Sequence, residues 1–200
     1  MTRLFVYVDN SNIWIEGMRF SAVQQGMVGT FEEAFNRSIV DHSWSYDFGE
    51  LYRIVGADGS PIGRASLFGS RPPQNDSLWS IARRNGFDPI VFDRNFSNKE
   101  KQVDNAISVQ MIEDSFIYMK RALNDRVVLV SGDRDHLPAI ESLKRRGFPV
   151  GVVFWEHATS MDLRAAADEF VSLAPHFNQL TRERSGCETG PTATPETAIE

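Results

Sequence analysis

Residues 127–140 read VVLVSGDRDHLPAI, and the fold follows from how that stretch is built. Four consecutive apolar residues without polar alternation have the pattern of a short strand buried on both faces. The strand stops at Ser131–Gly132, aspartates follow at 133 and 135, and from His136 the apolar spacing becomes that of a helix ended by Gly147. Strand, polar turn and helix form the repeating half-unit of a layered α/β protein with a parallel sheet. Outward from it the same alternation recurs. Leu4–Val8 is an apolar strand ended by Asp9, and Ser11 to about Gln25 is helix-like, with Ser11 or Asn12 able to cap it. Arg64–Phe68, Pro89–Phe92, Arg126–Val130, Pro149–Trp155 and Phe170–Leu173 are the further strands. Asn75–Asn85, Val103 to about Leu123, His136–Arg146 and Ser160–Ala167 are the further helices, with a last helical turn at 175–180. The fold class is α/β, a central mostly parallel sheet flanked by helices.

The chain has 200 residues, 42% of them apolar and 24% charged, which fits one globular domain over residues 1–180. No apolar run approaches the roughly 20 residues that cross a bilayer, and MTRLFVYVDN reads as a first strand, not a signal peptide. No membrane partner is expected. The single cysteine, Cys187, permits neither an intrachain disulfide nor a cysteine-based zinc site, and a cytoplasmic location is expected.

The net charge of −6 is unevenly spread. In 28–60, Arg37 and Arg53 stand against Glu32, Glu33, Asp41, Asp47, Glu50 and Asp58; in 181–200, Arg182 and Arg184 stand against Glu183, Glu188, Glu196 and Glu200. The remaining body is neutral, which excludes a uniformly basic electrostatic binder but allows a basic groove around an acidic pocket. Residues 28–60 also carry Phe31, Phe35, Trp44, Tyr46, Phe48 and Tyr52, so they read as an ordered insertion. It is expected to pack as a cap near the site without supplying metal ligands, as a homodimer surface through Trp44, Tyr46 and Phe48, or equally as a satellite core element with no role in selection. Residues 181–200 are rich in Gly, Thr, Pro and Glu and read as a disordered tail.

Aspartates recur at one kind of place. Asp9 ends the first strand in VYVDNSN, Asp133 and Asp135 follow the fourth in VVLVSGDRD, and Asp104 begins the long helix in KQVDNAIS. In an open parallel sheet, ligands bind beyond the carboxyl ends of the strands where strand order reverses. If strands one and four are neighbours there, Asp9 and Asp133 meet, and Asp104 approaches from the same end. Crowded carboxylates repel and raise one another's pKa unless a cation sits among them, and a hard divalent ion such as Mg²⁺ or Mn²⁺ suits oxygen ligands. An aspartate after a strand is also a common helix cap, and Asp104 and Asp135, each followed by a helix, are most open to that reading.

VYVDNSN, KQVD and VVLVSGDRDHLPAI resemble the three signature segments of the NYN domain, a branch of the PIN-like metal-dependent ribonucleases. SMDLRAAADEFVSL at 160–173 is similar to that family's closing helix and strand. The resemblance spans about residues 3–177, interrupted by 28–60. It implies a three-layer PIN-like fold, an RNA substrate and Mg²⁺ or Mn²⁺ held by Asp9, Asp104 and Asp133, with Asp135 a fourth acid. Asn12 would orient a water, a ligand or a phosphate, and the Ser131 hydroxyl and the amides near Gly132 would bond the carboxylates or a phosphate. Asp168 reads as a cap or salt-bridge residue. Two positions depart from the family pattern: Gln110 stands where an acid is frequent, and His136 where an aromatic residue is common. His136 reads as packing a helix start or acting on a substrate phosphate.

Lys99, Lys101, Arg71, Arg94 and Arg134 fall at the active end of the expected sheet and are the candidate RNA contacts, whereas Lys144, Arg145 and Arg146 end a helix at the opposite end. Trp14 and Phe20 read as core. The leading function is a metal-dependent endoribonuclease in which activated water attacks an RNA phosphodiester. The competing reading is a non-catalytic RNA-binding or regulatory module of the same fold. A receiver-like phosphotransferase is disfavoured because the fifth strand ends without the expected lysine, and no Walker or Rossmann glycine motif appears.

Overall fold

The computed structural model describes residues 1–71, 77–93 and 100–182. In chain order the elements are β1 (Leu4–Asp9), α1 (Asn10–Gln24), α2 (Phe31–Asn36), α3 (Phe48–Val55), β2 (Ile62–Arg71), α4 (Ser77–Arg84), β3 (Asp88–Asp93) and α5 (Glu100–Ile117). They continue with β4 (Arg126–Val130), α6 (Leu137–Arg145), β5 (Val150–Phe154), α7 (Met161–Ala166), β6 (Glu169–Ser172) and α8 (Phe177–Leu180). The strands form one sheet in the order β3-β2-β1-β4-β5-β6, with every neighbouring pair parallel. The chain builds outward from β1 to β3, crosses back to β4 beside β1, and builds outward again to β6. The reversal point therefore lies between the ends of β1 and β4.

The centre of the sheet is buried on both faces. Leu4–Val8, Val127–Val130 and Val150–Phe154 are all buried apart from small openings, which is why these strands read as apolar runs. α1 seats on the sheet through Ile13 and Phe20, and Trp155 Nε1 donates to the Ile13 carbonyl at 3.0 Å. Trp14 packs half-buried against the same core.

Four local expectations are corrected. The second strand does not end at Phe68 but runs on to Arg71; Gly69 lies inside β2, where a Cβ would run into the Trp79 ring, so the glycine lets α4 approach the sheet. The long helix ends at Ile117 instead of near Leu123, and a 3₁₀ turn at 121–123 follows, closed by Asn124 in the left-handed region at φ 56°. Neither Ser11 nor Asn12 caps α1; Asp9 does. Trp44, Tyr46 and Phe48 are buried, which leaves none of them for a dimer contact.

Residues 28–60 contribute α2 and α3, and their aromatics join the core. The Trp44 ring stacks on Phe177 at 6.1 Å and meets Trp155 edge-on at 5.9 Å, while Tyr46 and Phe48 meet edge-on at 4.9 Å. Trp44 Nε1 donates to Thr181 Oγ1, and the Arg182 amide donates to the Ser45 carbonyl, both at 2.9 Å. This segment thereby fastens the chain through Arg182; the rest of the expected tail lies outside the described residues. Asp168 ion-pairs with Lys144 at 3.0 Å and accepts the Val150 amide at 2.8 Å, a structural role. No helix among the described residues is long and apolar enough to cross a membrane.

Candidate active site

Asp9 is the last residue of β1 and the N-cap of α1. Its Oδ1 accepts the Asn12 amide at 3.0 Å, and it is 4% exposed. Asp133 does the same after β4: it caps the 3₁₀ turn at 134–136, accepting the Asp135 amide at 2.9 Å. Capping thus falls to Asp9 and Asp133, not to Asp104 and Asp135. A carboxylate that bonds a helix-start amide is held in one orientation. Asp104 lies one turn inside α5, past the capping position, and half-buried on the face toward the sheet end.

These residues converge. One carboxylate oxygen each of Asp104, Asp133 and Asp135 lie within 4.8 Å of one another. A second group within the same span joins Asp9 and Asp104 to an imidazole nitrogen of His136. Asp104 belongs to both groups. A cleft of about 370 Å³ opens over Asp9, Asp104 and Asp133, and Asn12, Glu16, Arg19, Phe35 and Ser70 are among the residues on its walls.

The loops that present the acids are held from behind. The Gly132 amide donates to Asn12 Oδ1 at 3.5 Å, and the Asp133 amide to Ser131 Oγ at 3.2 Å. Ser131 is buried, so its hydroxyl braces the turn instead of meeting a substrate, contrary to the expectation from sequence. A Cβ at Gly132 would collide with the Ala158 carbonyl and the Phe154 ring, so only glycine lets this turn pass so close to β5. Behind β1, Asn10 is buried and accepts the Tyr46 hydroxyl at 2.7 Å; burial first, and then the charge of Asp9, push that phenol well above its ordinary pKa.

His136 is fully buried. Its Nδ1 lies 3.1 Å from Ser108 Oγ, while Nε2 has no hydrogen-bond partner among the described residues. Burial holds the imidazole below its ordinary pKa, against the opposing pull of Asp133 and Asp135. Gln110 points its amide elsewhere, donating to Asp114 at 2.7 Å in a buried network that also takes in the Tyr7 hydroxyl and Arg64.

Of the expected RNA contacts, Arg94 and Lys99 lie outside the described residues, and so do the side chains of Arg71 and Lys101. Arg134 is exposed at the rim and ion-paired with Asp162 at 2.9 Å. Sequence reading missed Glu16 and Arg19, which ion-pair with each other on the cleft wall. Burial alone would raise the Glu16 carboxyl, but neighbouring His157 and Arg19 hold it below its ordinary value. The spacing of 12, 16 and 19 along α1 is the signal that would have found them, since it continues the face begun at Asp9. Phe35, from the insertion, stands at the mouth with the Arg19 guanidinium 5.1 Å from its ring centre.

The donor set suits a divalent cation. It offers clustered carboxylate oxygens, a neutral imidazole and a buried nitrogen without a partner. The fold is similar to that of a protein of unknown function from Vibrio parahaemolyticus RIMD 2210633, known from its crystal structure. The TM-score is 0.60 at 20% identity, covering 86% of this chain and 93% of that one, and such a likeness speaks to the fold alone. No curated protein matches the chain at a significant level. The NYN domain model matches residues 3–174, a span that holds all three aspartate segments and both halves of the sheet, and the chain belongs to the NYN domain family.

Proposed function

We propose that this chain is a metal-dependent endoribonuclease that hydrolyses RNA phosphodiester bonds in the cleft between β1, β4 and α5. One observation carries the reading: four aspartates from three separate segments of an NYN domain gather at the strand-order reversal, in two ligand-distance groups that share Asp104. Asp9, Asp104 and Asp133 would hold Mg²⁺ or Mn²⁺. When bound, such an ion neutralises the scissile phosphate and lowers the pKa of the attacking water.

The chain's own residues do the rest. Asp9 and Asp133 are fixed by their caps, so the anionic wall is set before substrate arrives. Asp135, exposed beside Asp104 and Asp133, orients the attacking water and receives its proton. Asn12 accepts the Gly132 amide at its Oδ1 and has its own amide hydrogens for a phosphate oxygen. Arg19 and Arg134 supply positive charge on two sides of the acids.

The test is purified protein against labelled single-stranded RNA and DNA with Mn²⁺, Mg²⁺ or EDTA, beside the Asp133→Asn variant. Endonucleolytic cleavage of RNA that needs the metal and disappears in the variant is expected. Metal-dependent RNA binding without cleavage would instead make the chain a binding module.

A further inference from the structure

We propose that His136 is a nitrogen ligand of the cation held by Asp9 and Asp104, and that Ser108 orients it, so that the centre prefers Mn²⁺ and other borderline transition ions over Mg²⁺. The inference rests on the metal-dependent reading of the cleft and concerns the composition of its centre.

Geometry is the first support. Around an octahedral ion with ligands at about 2.1 Å, adjacent ligand atoms lie about 3 Å apart and opposite ones about 4.2 Å apart. An imidazole nitrogen of His136 and one oxygen each of Asp9 and Asp104 already lie within 4.8 Å of one another, so small side-chain adjustments bring all three onto one ion.

The second support is an unmet valence. His136 Nε2 is buried with no hydrogen-bond partner among the described residues, and a buried polar atom in that state destabilises the fold unless something meets it. A phenyl ring would fill the same space with no such penalty. Packing alone therefore explains a ring at 136 but not this ring. A cation bound through Nε2 would meet the nitrogen's need and ease the repulsion between Asp9 and Asp104 together.

The third support is the orientation of the ring. Ser108 is one helical turn beyond Asp104 on α5, so a single face of that helix presents both a carboxylate and a hydroxyl to the centre. If Nδ1–H donates to Ser108 Oγ, the lone pair resides on Nε2. Metal-bound histidines are arranged in this way, with the second nitrogen held by a hydrogen bond that sets tautomer and ring plane. Imidazole suits transition ions such as zinc, iron and nickel; Mn²⁺ usually takes oxygen ligands but, as a transition ion, tolerates a nitrogen better than the harder Mg²⁺, so a nitrogen donor biases the choice of ion away from magnesium.

The experiment is pulsed electron paramagnetic resonance on the wild-type protein with one equivalent of Mn²⁺, prepared unlabelled and with ¹⁵N-histidine. A directly coordinated ¹⁴N coupling that converts to ¹⁵N on labelling is expected. His136 is the histidine of the cluster, so loss of the coupling in His136→Phe completes the assignment. Calorimetric titration should show the Mn²⁺-over-Mg²⁺ affinity ratio fall at least tenfold in His136→Phe, with a smaller fall in Ser108→Ala. No nitrogen coupling in the wild type, no Mn²⁺ binding at all, or an unchanged ratio in a folded His136→Phe would overturn the proposal. Nitrogen-coupled Mn²⁺ in a protein that cleaves no RNA would leave His136 a ligand and sink the nuclease reading instead.

Discussion

The amide of Gly132 donates to Asn12 Oδ1 across 3.5 Å, joining the turn after β4 to the first turn of α1 directly behind the acidic cluster. The two residues are 120 positions apart, yet they hold together the two loops that carry Asp133 and Asp9. Asn12 is thus placed both to fix the spacing of two acids and to present amide hydrogens to the cleft.

Replacing Asn12 with alanine should therefore affect the chemistry more than the fold. The bond is long, and a typical net hydrogen bond contributes only about 0.5–1.5 kcal/mol, so a fall of a few degrees at most in melting temperature is expected. Cleavage should fall by roughly ten- to a hundredfold, the range for losing a residue that orients ligands or phosphate. An unchanged rate would show that the loops keep their register without this tie.

The cap geometry separates two substitutions at Asp9. Asparagine accepts the Asn12 amide as well as aspartate does, so Asp9→Asn should keep the fold and lose metal-dependent cleavage. Relief of repulsion with the neighbouring acids should leave its metal-free melting temperature equal or slightly higher. Asp9→Ala loses the cap as well, at about 1 kcal/mol, and should melt lower. Equal melting temperatures for the two variants would contradict the capping role.

The sheet was legible in the sequence because its information is local. Leu4–Val8, Arg126–Val130 and Pro149–Trp155 announce buried strands by composition alone, and an aspartate at the end of two of them points to the reversal of strand order. What could not be read is carried by contacts between distant residues. Trp44 and Tyr46 sit in an acidic segment whose composition is equally that of an exposed cap, and only Phe177, Trp155 and Asn10, far along the chain, make them core. Likewise His136 reads as a helix starter until one of its ring nitrogens is seen within 4.8 Å of oxygens of Asp9 and Asp104. The second strand reads as ending at Phe68, before Gly69, because the demand for that glycine comes from Trp79, not from its neighbours in sequence.

Acid should weaken the protein at Asp125. This buried carboxylate, if only desolvated, would titrate high, but Arg3, at 2.6 Å, and the amides of Arg3 and Lys120 hold it below its ordinary value. A carboxyl with a depressed folded-state pKa stabilises the fold above its unfolded value of about 3.9, and that contribution is lost as pH falls through the lower, folded value. Melting temperature should thus decline below about pH 4, and Asp125→Asn should melt lower at pH 7 while showing a shallower acid decline. Parallel curves for the two proteins would place the acid sensitivity elsewhere.

Phe35 offers a test of how substrate is gripped. It is 66% exposed, it comes from the segment between α1 and β2, and it lines the cleft mouth over Arg19, whose guanidinium is held by Glu16. An exposed ring beside a cation is the arrangement on which an unstacked base rests in single-strand binding, worth about 1–3 kcal/mol per base. Phe35→Ala should raise KM for single-stranded RNA by roughly five- to thirtyfold, the equivalent of about 1–2 kcal/mol, with kcat little changed. Phe35→Trp should retain binding, because any flat ring can stack. Melting temperature should hardly move, since so exposed a ring buries little surface. A duplex substrate, whose bases stay stacked, should be insensitive to the substitution. Were KM the same for Phe35→Ala and wild type on single-stranded RNA, the ring would be an ordinary exposed apolar residue and the insertion would have no part in selecting substrate.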